Sequence, residues 1–170
     1  MDLFLIRHAQ AASLMEAGVI EDANRPLTEA GKIQAKELAT CFQRRKIQPS
    51  VLVTSPLLRA RETAEHIVKD WHGAPDIRIC EELAPGGKRR RLARFLRDLG
   101  AECAALVGHQ PDLGEFAGWL IGSKKVQIDI PKAGVAFIRC EDLPAKGEGT
   151  LEWLIGPEWF GANNTTEATS

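Results

Sequence analysis

The chain has 170 residues, 44% of them hydrophobic and 26% charged, with a formal net charge of −1. That is an ordinary composition for a globular protein, and the chain is long enough to bury a real core. A near-neutral chain has no global field to draw in nucleic acid or a membrane surface, so neither is expected as a partner and any pull on an anion must be local. No apolar stretch approaches the 18 residues of a membrane span, and no basic stretch precedes the short apolar run at the N-terminus, so no signal peptide is expected and the cytoplasm is the expected compartment.

Apolar runs alternate with segments of helical period from end to end. The first strand is expected at residues 2–7, where Leu3-Phe4-Leu5-Ile6 reads as a strand buried on both faces, as in a parallel sheet. It runs straight into Arg7-His8. Ala35, Leu38, Ala39 and Phe42 then recur at helical spacing. The next strand, 50–54, runs into Thr54-Ser55-Pro56, and Arg59 follows. A second stripe holds Ala60, Ala64, Ile67, Val68 and Trp71. The strand at 76–80 alternates through Ile77-Arg78-Ile79, which places it near a sheet edge.

A third stripe is Leu92, Phe95, Leu96 and Leu99. The strand at 103–107 runs into Gly108-His109, and Leu113, Phe116, Ala117, Leu120 and Ile121 form a fourth stripe. Strands at 134–139 and 150–155 are separated by Leu143-Pro-Ala-Lys-Gly-Glu-Gly, which has no helical pattern and predicts a hairpin. The expected fold is α/β: a three-layer α/β/α sandwich on a mostly parallel, mixed sheet of about six strands, with helices on both faces. Residues 1–160 are expected to form a single domain, and the small polar tail from Gly161 to Ser170 is expected to be disordered. Cys41, Cys80, Cys103 and Cys140 lack C-x-x-C or zinc-like spacing and read as small buried hydrophobes.

In open α/β sheets, ligands bind outside the carboxyl ends of the strands. Three strands here deliver Arg7, His8, Arg59 and His109 to that end. Taken singly, a strand-end histidine is more often a satisfied structural group and an arginine a solvated one. The four together point to a site for a small dianion. The arginine fork matches phosphoryl oxygens bidentately, and a neutral imidazole attacks phosphorus. The helix after His109 starts near Asp112, so its first amides are expected to face the site. A zinc site is the rival use of His8 and His109. It lacks further ligands, and the arginines would repel a cation, so no metal is expected. His66 and His72 receive no role.

These residues resemble those of a known family. Leu5-Ile6-Arg7-His8-Ala9 resembles the "RHG" signature of the histidine phosphatase superfamily, the phosphoglycerate-mutase-like fold, with Ala9 where glycine is usual. Arg25-Pro26-Leu27-Thr28-Glu29-Ala30-Gly31 is similar to its "LTxxG" stretch. Ser55 to Ala64 is similar to its "SxxxRAxxTA", and Val107-Gly108-His109 to its second histidine block. Order and spacing hold from residue 3 to about residue 115. Within the superfamily, the short length, Arg-Pro-Leu-Thr and Glu82-Leu83-Ala84-Pro85-Gly86-Gly87 resemble the SixA-type phosphohistidine phosphatases. Larger relatives carry helical insertions that cap the site. Here one helix uses most of the stretch between Glu82 and the strand of His109, which implies an open site.

The resemblance implies a phosphatase in which His8 attacks phosphorus and is transiently phosphorylated. Arg7, Arg59 and His109 would hold the phosphoryl oxygens, and water would release phosphate without metal or cofactor. Glu82, or its neighbour Glu81, takes the position of the family's general acid. Arg25 is a further candidate for substrate contact. The implied partner is a phosphohistidine-bearing protein, either a histidine-containing phosphotransfer domain or a sugar-transport carrier protein, with phosphate or another anion in the pocket. A monomer suffices. The alternatives are a broad small-molecule phosphomonoesterase of the same fold and a phosphoprotein-binding module without turnover. The basic run Lys88-Arg89-Arg90-Arg91, with Arg94 and Arg97, reads either as the solvated face of a helix or as a dock for an acidic protein.

Overall fold

The computed structural model describes residues 1–123 and 125–160. The expected disordered tail lies outside the described residues. The strands are β1 (Asp2–Arg7), β2 (Val51–Thr54), β3 (Asp76–Ile79), β4 (Cys103–Gly108), β5 (Val135–Cys140) and β6 (Gly149–Ile155). They form one six-stranded sheet in the order β3-β2-β4-β1-β5-β6. The pairs among β1 to β4 are parallel, while β5 pairs antiparallel with both β1 and β6. The expected mixed sheet, edge strand and hairpin are all present. As an edge, β3 is exposed along its length.

The helices are α1 (Leu14–Ala17), α2 (Glu29–Arg44), α3 (Leu58–Val68), α4 (Arg89–Leu99) and α5 (Asp112–Leu120). Because each central strand is apolar on both faces, it feeds two cores. Leu3, Leu5, Val53, Ala104 and Leu106 pack under α4 and α5. Phe4, Ile6, Leu52, Ala105 and Val107 pack under α2 and α3. On the α2 side, Phe4 stacks on Phe137 with ring centroids 4.7 Å apart, and Trp153 packs against both. Trp71 belongs to the same core although α3 ends at Val68 before reaching it; the chain turns there, and the helical period does not continue. The four cysteines are free thiols, three buried and Cys103 partly so.

Register does the work of assembling one end of the sheet. Arg7 lies opposite Gly108 in the β1/β4 pair, so His8 and His109 leave adjacent strands at the same level. Thr54 lies opposite Val107 in the β2/β4 pair, which brings Ser55 beside them. Thr28 caps α2 by accepting the Gly31 N–H at 3.1 Å, and both the Thr28 N–H and hydroxyl bond to the Gln10 carbonyl. The start of α2 thus holds the loop that leaves His8.

Candidate active site

His8 is buried beyond the end of β1. Its Nδ1 lies 2.7 Å from the Ala9 carbonyl, an acceptor only, so Nδ1 carries the proton. Nε2 then presents a lone pair, and Arg59 Nε–H donates to it at 3.2 Å. Burial lowers the His8 pKa to about 4, with the charges of Arg59, Arg7 and Lys132 pushing the same way against the Ala9 hydrogen bond. At neutral pH the ring is an uncharged base.

The His109 ring sits 5.1 Å from that of His8, centroid to centroid. Its Nε2 is 2.9 Å from Ser55 Oγ, which already accepts the Leu57 N–H. The hydroxyl keeps both its proton and a second lone pair, so the direction of this bond follows the ring tautomer; with the hydroxyl donating to Nε2, Nδ1 is the N–H. That Nδ1 is buried and has no partner among the described residues. Burial lowers the His109 pKa to about 3, helped by His8 and Arg59.

Arg59, on the first turn of α3, is 4% exposed. Its Nη2 lies 2.9 Å from Asp22 Oδ2, and its Nη1 donates to the Asp22 carbonyl at 2.8 Å. Arg25 Nε donates to the other carboxylate oxygen at 2.7 Å, and its Nη1 reaches the Ala12 carbonyl. Burial would raise the Asp22 pKa, but the bonds and charges of Arg25 and Arg59 overcome it and hold the carboxyl below its ordinary value. Arg7 Nη1 donates to the Ile130 carbonyl at 2.9 Å, with Asp129 3.7 Å away, and its buried Nε has no partner among the described residues. Below this set, Thr63 Oγ accepts the Ala9 N–H at 3.1 Å and donates to the Arg59 carbonyl at 2.6 Å.

The structure thus brings together Arg7, His8, Arg59 and His109, with Arg25 joined through Asp22. Glu82 is placed differently. Its carboxylate accepts the Lys88 N–H at 2.8 Å and pairs with Arg91 at 3.5 Å; among the described residues it bonds neither histidine. It lines a groove that also reaches His109. Of the amides expected to face the site from α5, Leu113 N–H bonds the His109 carbonyl and Gly114 N–H bonds Gln110 Oε1. The sequence reading missed Asp22, Ser55, Thr63 and the 128–133 segment. Ser55 and Thr63 lie inside the quoted motif stretch, which was their signal. Asp22 lies three residues before Arg25 in a polar stretch without one. In the 128–133 segment, Ala133 takes a left-handed φ of 59° to donate to the Arg7 and His8 carbonyls.

Buried donors surrounding a neutral imidazole can cradle a tetrahedral oxyanion. Among the described residues no cluster of three or more His, Cys, Asp or Glu is arranged to hold a metal ion. No described helix is long and apolar enough to cross a membrane. Residues 3–84 match the family model "Histidine phosphatase superfamily (branch 1)". An uncharacterised protein of Picosynechococcus is 35% identical over 166 residues, covering 94% of this chain and 99% of its own. The chain belongs to the histidine phosphatase superfamily, and it is a phosphatase. Phosphohistidine phosphatase SixA of Escherichia coli is 26% identical to it, covering 92% of this chain and 94% of its own. The structure of the protein histidine phosphatase SixA complexed with tungstate shares the fold, with a TM-score of 0.81 and 23% identity over 95% of this chain and 100% of that one.

Proposed function

We propose that this phosphatase removes the phosphoryl group from a phosphohistidine-bearing protein through a covalent phospho-His8 intermediate. The observation that carries the reading is His8 itself: a buried, uncharged imidazole whose Nε2 lone pair faces Arg59. In the first step Nε2 forms a bond to phosphorus as the substrate's N–P bond breaks, and the leaving imidazole takes up a proton. In the second, water attacks phospho-His8, and inorganic phosphate and free His8 result. Arg59 Nε–H turns from Nε2 to a phosphoryl oxygen as substrate enters. Arg7 Nε–H and His109 Nδ1–H, both without partners among the described residues, supply further donors where charge develops.

Two observations favour an N–P over an O–P bond. An imidazole leaving group needs a general acid less than an alkoxide does, and Glu82 is engaged by the Lys88 amide and Arg91. Among the described residues, α4 is the one helix between the Glu82 turn and β4, so no helical insertion in that connection caps the site, which supports approach by a protein surface. The likeness to SixA, whose structure was obtained with tungstate, an oxyanion, supports the same reading.

The test is turnover in EDTA of a phosphohistidine protein beside p-nitrophenyl phosphate, with His8→Ala as control. Fast loss of the protein phosphoryl group, poor ester cleavage and no labelled phosphoenzyme in His8→Ala are expected. Good ester cleavage with the phosphoprotein untouched would instead establish a small-molecule phosphomonoesterase.

A further inference from the structure

A groove of about 1000 Å³ runs from His109 between α4, α5 and residues Ser123, Lys125, Val126 and Gln127. The apolar surface it offers is that of Trp119 and Val126, with Leu83, Leu92, Leu113 and Phe116 buried beneath. Its rim carries six cationic side chains against three carboxylates. Two of the carboxylates are spent locally, Glu82 on Arg91 and Glu115 on Arg89. Lys88, Arg90, Lys125 and Lys146 have no carboxylate within ion-pair distance among the described residues.

The basic run also sits in an unfavourable place. Lys88 is the N-cap of α4 with no side-chain cap bond, the first turn has no acidic residue, and Arg89 to Arg91 lie at the positive end of the helix dipole. A helix selected only to fold would carry acids or a Ser, Thr, Asp or Asn cap there. Beyond the apolar stripe of Leu92 and Leu96, α4 also carries Arg94 and Arg97, but only the cations of its first turn, with Lys88, border the groove. At its inner end is His109, 2% exposed, with Nδ1 unpartnered among the described residues and its ring 5.1 Å from that of His8.

We infer that this groove docks an acidic amphipathic helix of the phosphohistidine-bearing protein, with the helix's apolar face on Trp119 and Val126 and its carboxylates on Lys88, Arg90 and Lys125. The inference rests on the reading of the substrate given above. Two helices walling an apolar surface offer the ridges a third helix packs against, and unpaired cations on the rim select an acidic one. Docking there brings the partner's surface alongside His109, one side chain from the nucleophile. Long-range attraction of this kind also speeds encounter and is screened by salt.

The experiment compares wild type with Arg90→Glu/Lys125→Glu on two substrates: a phosphohistidine domain with an acidic helix beside its histidine, and phosphoramidate. The variant is expected to lose at least tenfold in kcat/KM on the domain, mainly through KM, and to lose the fall in rate that wild type shows between 50 and 300 mM salt, roughly the range over which the screening length shortens to a few ångströms. Phosphoramidate turnover stays within about twofold. Equal rates for both proteins on the domain, or equal loss on both substrates, overturn the docking while leaving the substrate reading intact. Wild type that cleaves phosphoramidate but never the domain defeats the substrate reading first, and the docking with it. A dimer in sedimentation that the double variant abolishes gives the groove to a second copy and also overturns the proposal.

Discussion

Asp22 Oδ2 lies 2.9 Å from Nη2 of Arg59, and the Asp22 carbonyl takes Nη1 of the same guanidinium. One exposed residue therefore occupies two nitrogens of the guanidinium that, on the proposed function, an incoming phosphoryl group would take. Asp22 both orients Arg59 and competes for it. For Asp22→Asn, loss of the counter-ion of a nearly buried guanidinium is expected to cost about 1–3 kcal/mol, seen as a Tm several degrees lower. Inorganic phosphate should then raise the variant's Tm more than it raises that of wild type, because the competing charge is gone. A smaller phosphate-induced shift in the variant would show that Asp22 only positions Arg59.

Thr63 links the nucleophile's loop to the arginine's helix through a single hydroxyl, which accepts from Ala9 and donates to the Arg59 carbonyl. Thr63→Val keeps the shape and leaves the Ala9 N–H buried without a partner, at a cost of about 1–3 kcal/mol. Denaturant midpoints should fall for Val and recover for Thr63→Ser, which restores the hydroxyl. The kcat for phosphoramidate should follow the same order, since Ala9 also supplies the carbonyl that fixes the His8 tautomer.

Much of this site is legible from residues 3–109, because continuous apolar strands state both their burial and their parallel pairing. Strand ends in such a sheet converge, so Arg7, His8, Arg59 and His109 were predictable from the runs that precede them. The groups that tune them were not. Asp22 sits on a short turn with no period, and its partner lies 37 positions away. The 123–134 segment has no regular period, yet its carbonyl at Ile130 holds Arg7 and its lysine at 132 lowers the His8 pKa. Motif position places Glu82 after β3 but cannot show that the Lys88 amide engages its carboxylate, because that bond depends on the turn at Gly86 and Gly87.

At Gly31 helix propensity and packing oppose each other. It lies in the first turn of α2, where alanine would favour the helix by about 1 kcal/mol. A Cβ there, however, would run into the backbone carbonyl of Gln10, with the Gln10 carbon at 3.0 Å and its nitrogen at 3.1 Å. Backbone on both sides has little room to give, so the overpacking cost, about 1–3 kcal/mol or more, is expected to win. Gly31→Ala should lower the urea midpoint and slow turnover, because Gln10 belongs to the loop that carries His8. Gly73→Ala, on a turn where nothing lies within 4 Å of the added atom, controls for the loss of glycine itself: its left-handed φ of 71° makes it cost stability without slowing turnover.

The two histidines also make a signed prediction for pH. Folding lowers the pKa of His8 to about 4 and that of His109 to about 3, from an ordinary 6.5. On acidification the unfolded chain therefore takes up protons first, and stability falls with pH. The contribution is fully present above pH 6.5 and is lost progressively as pH falls through 6.5 toward the folded values. At pH 5 the loss is roughly 2 kcal/mol for each ring. Urea midpoints measured from pH 7.5 to 5 should decline in wild type and decline less in His8→Gln, which keeps a polar side chain but cannot take up the proton. An identical decline in both proteins would place the proton uptake elsewhere. The same depression makes His8 a free base across the neutral range, so the pH–rate profile for phosphoramidate should show no loss of nucleophile between pH 7.5 and 5.5 while the fold holds.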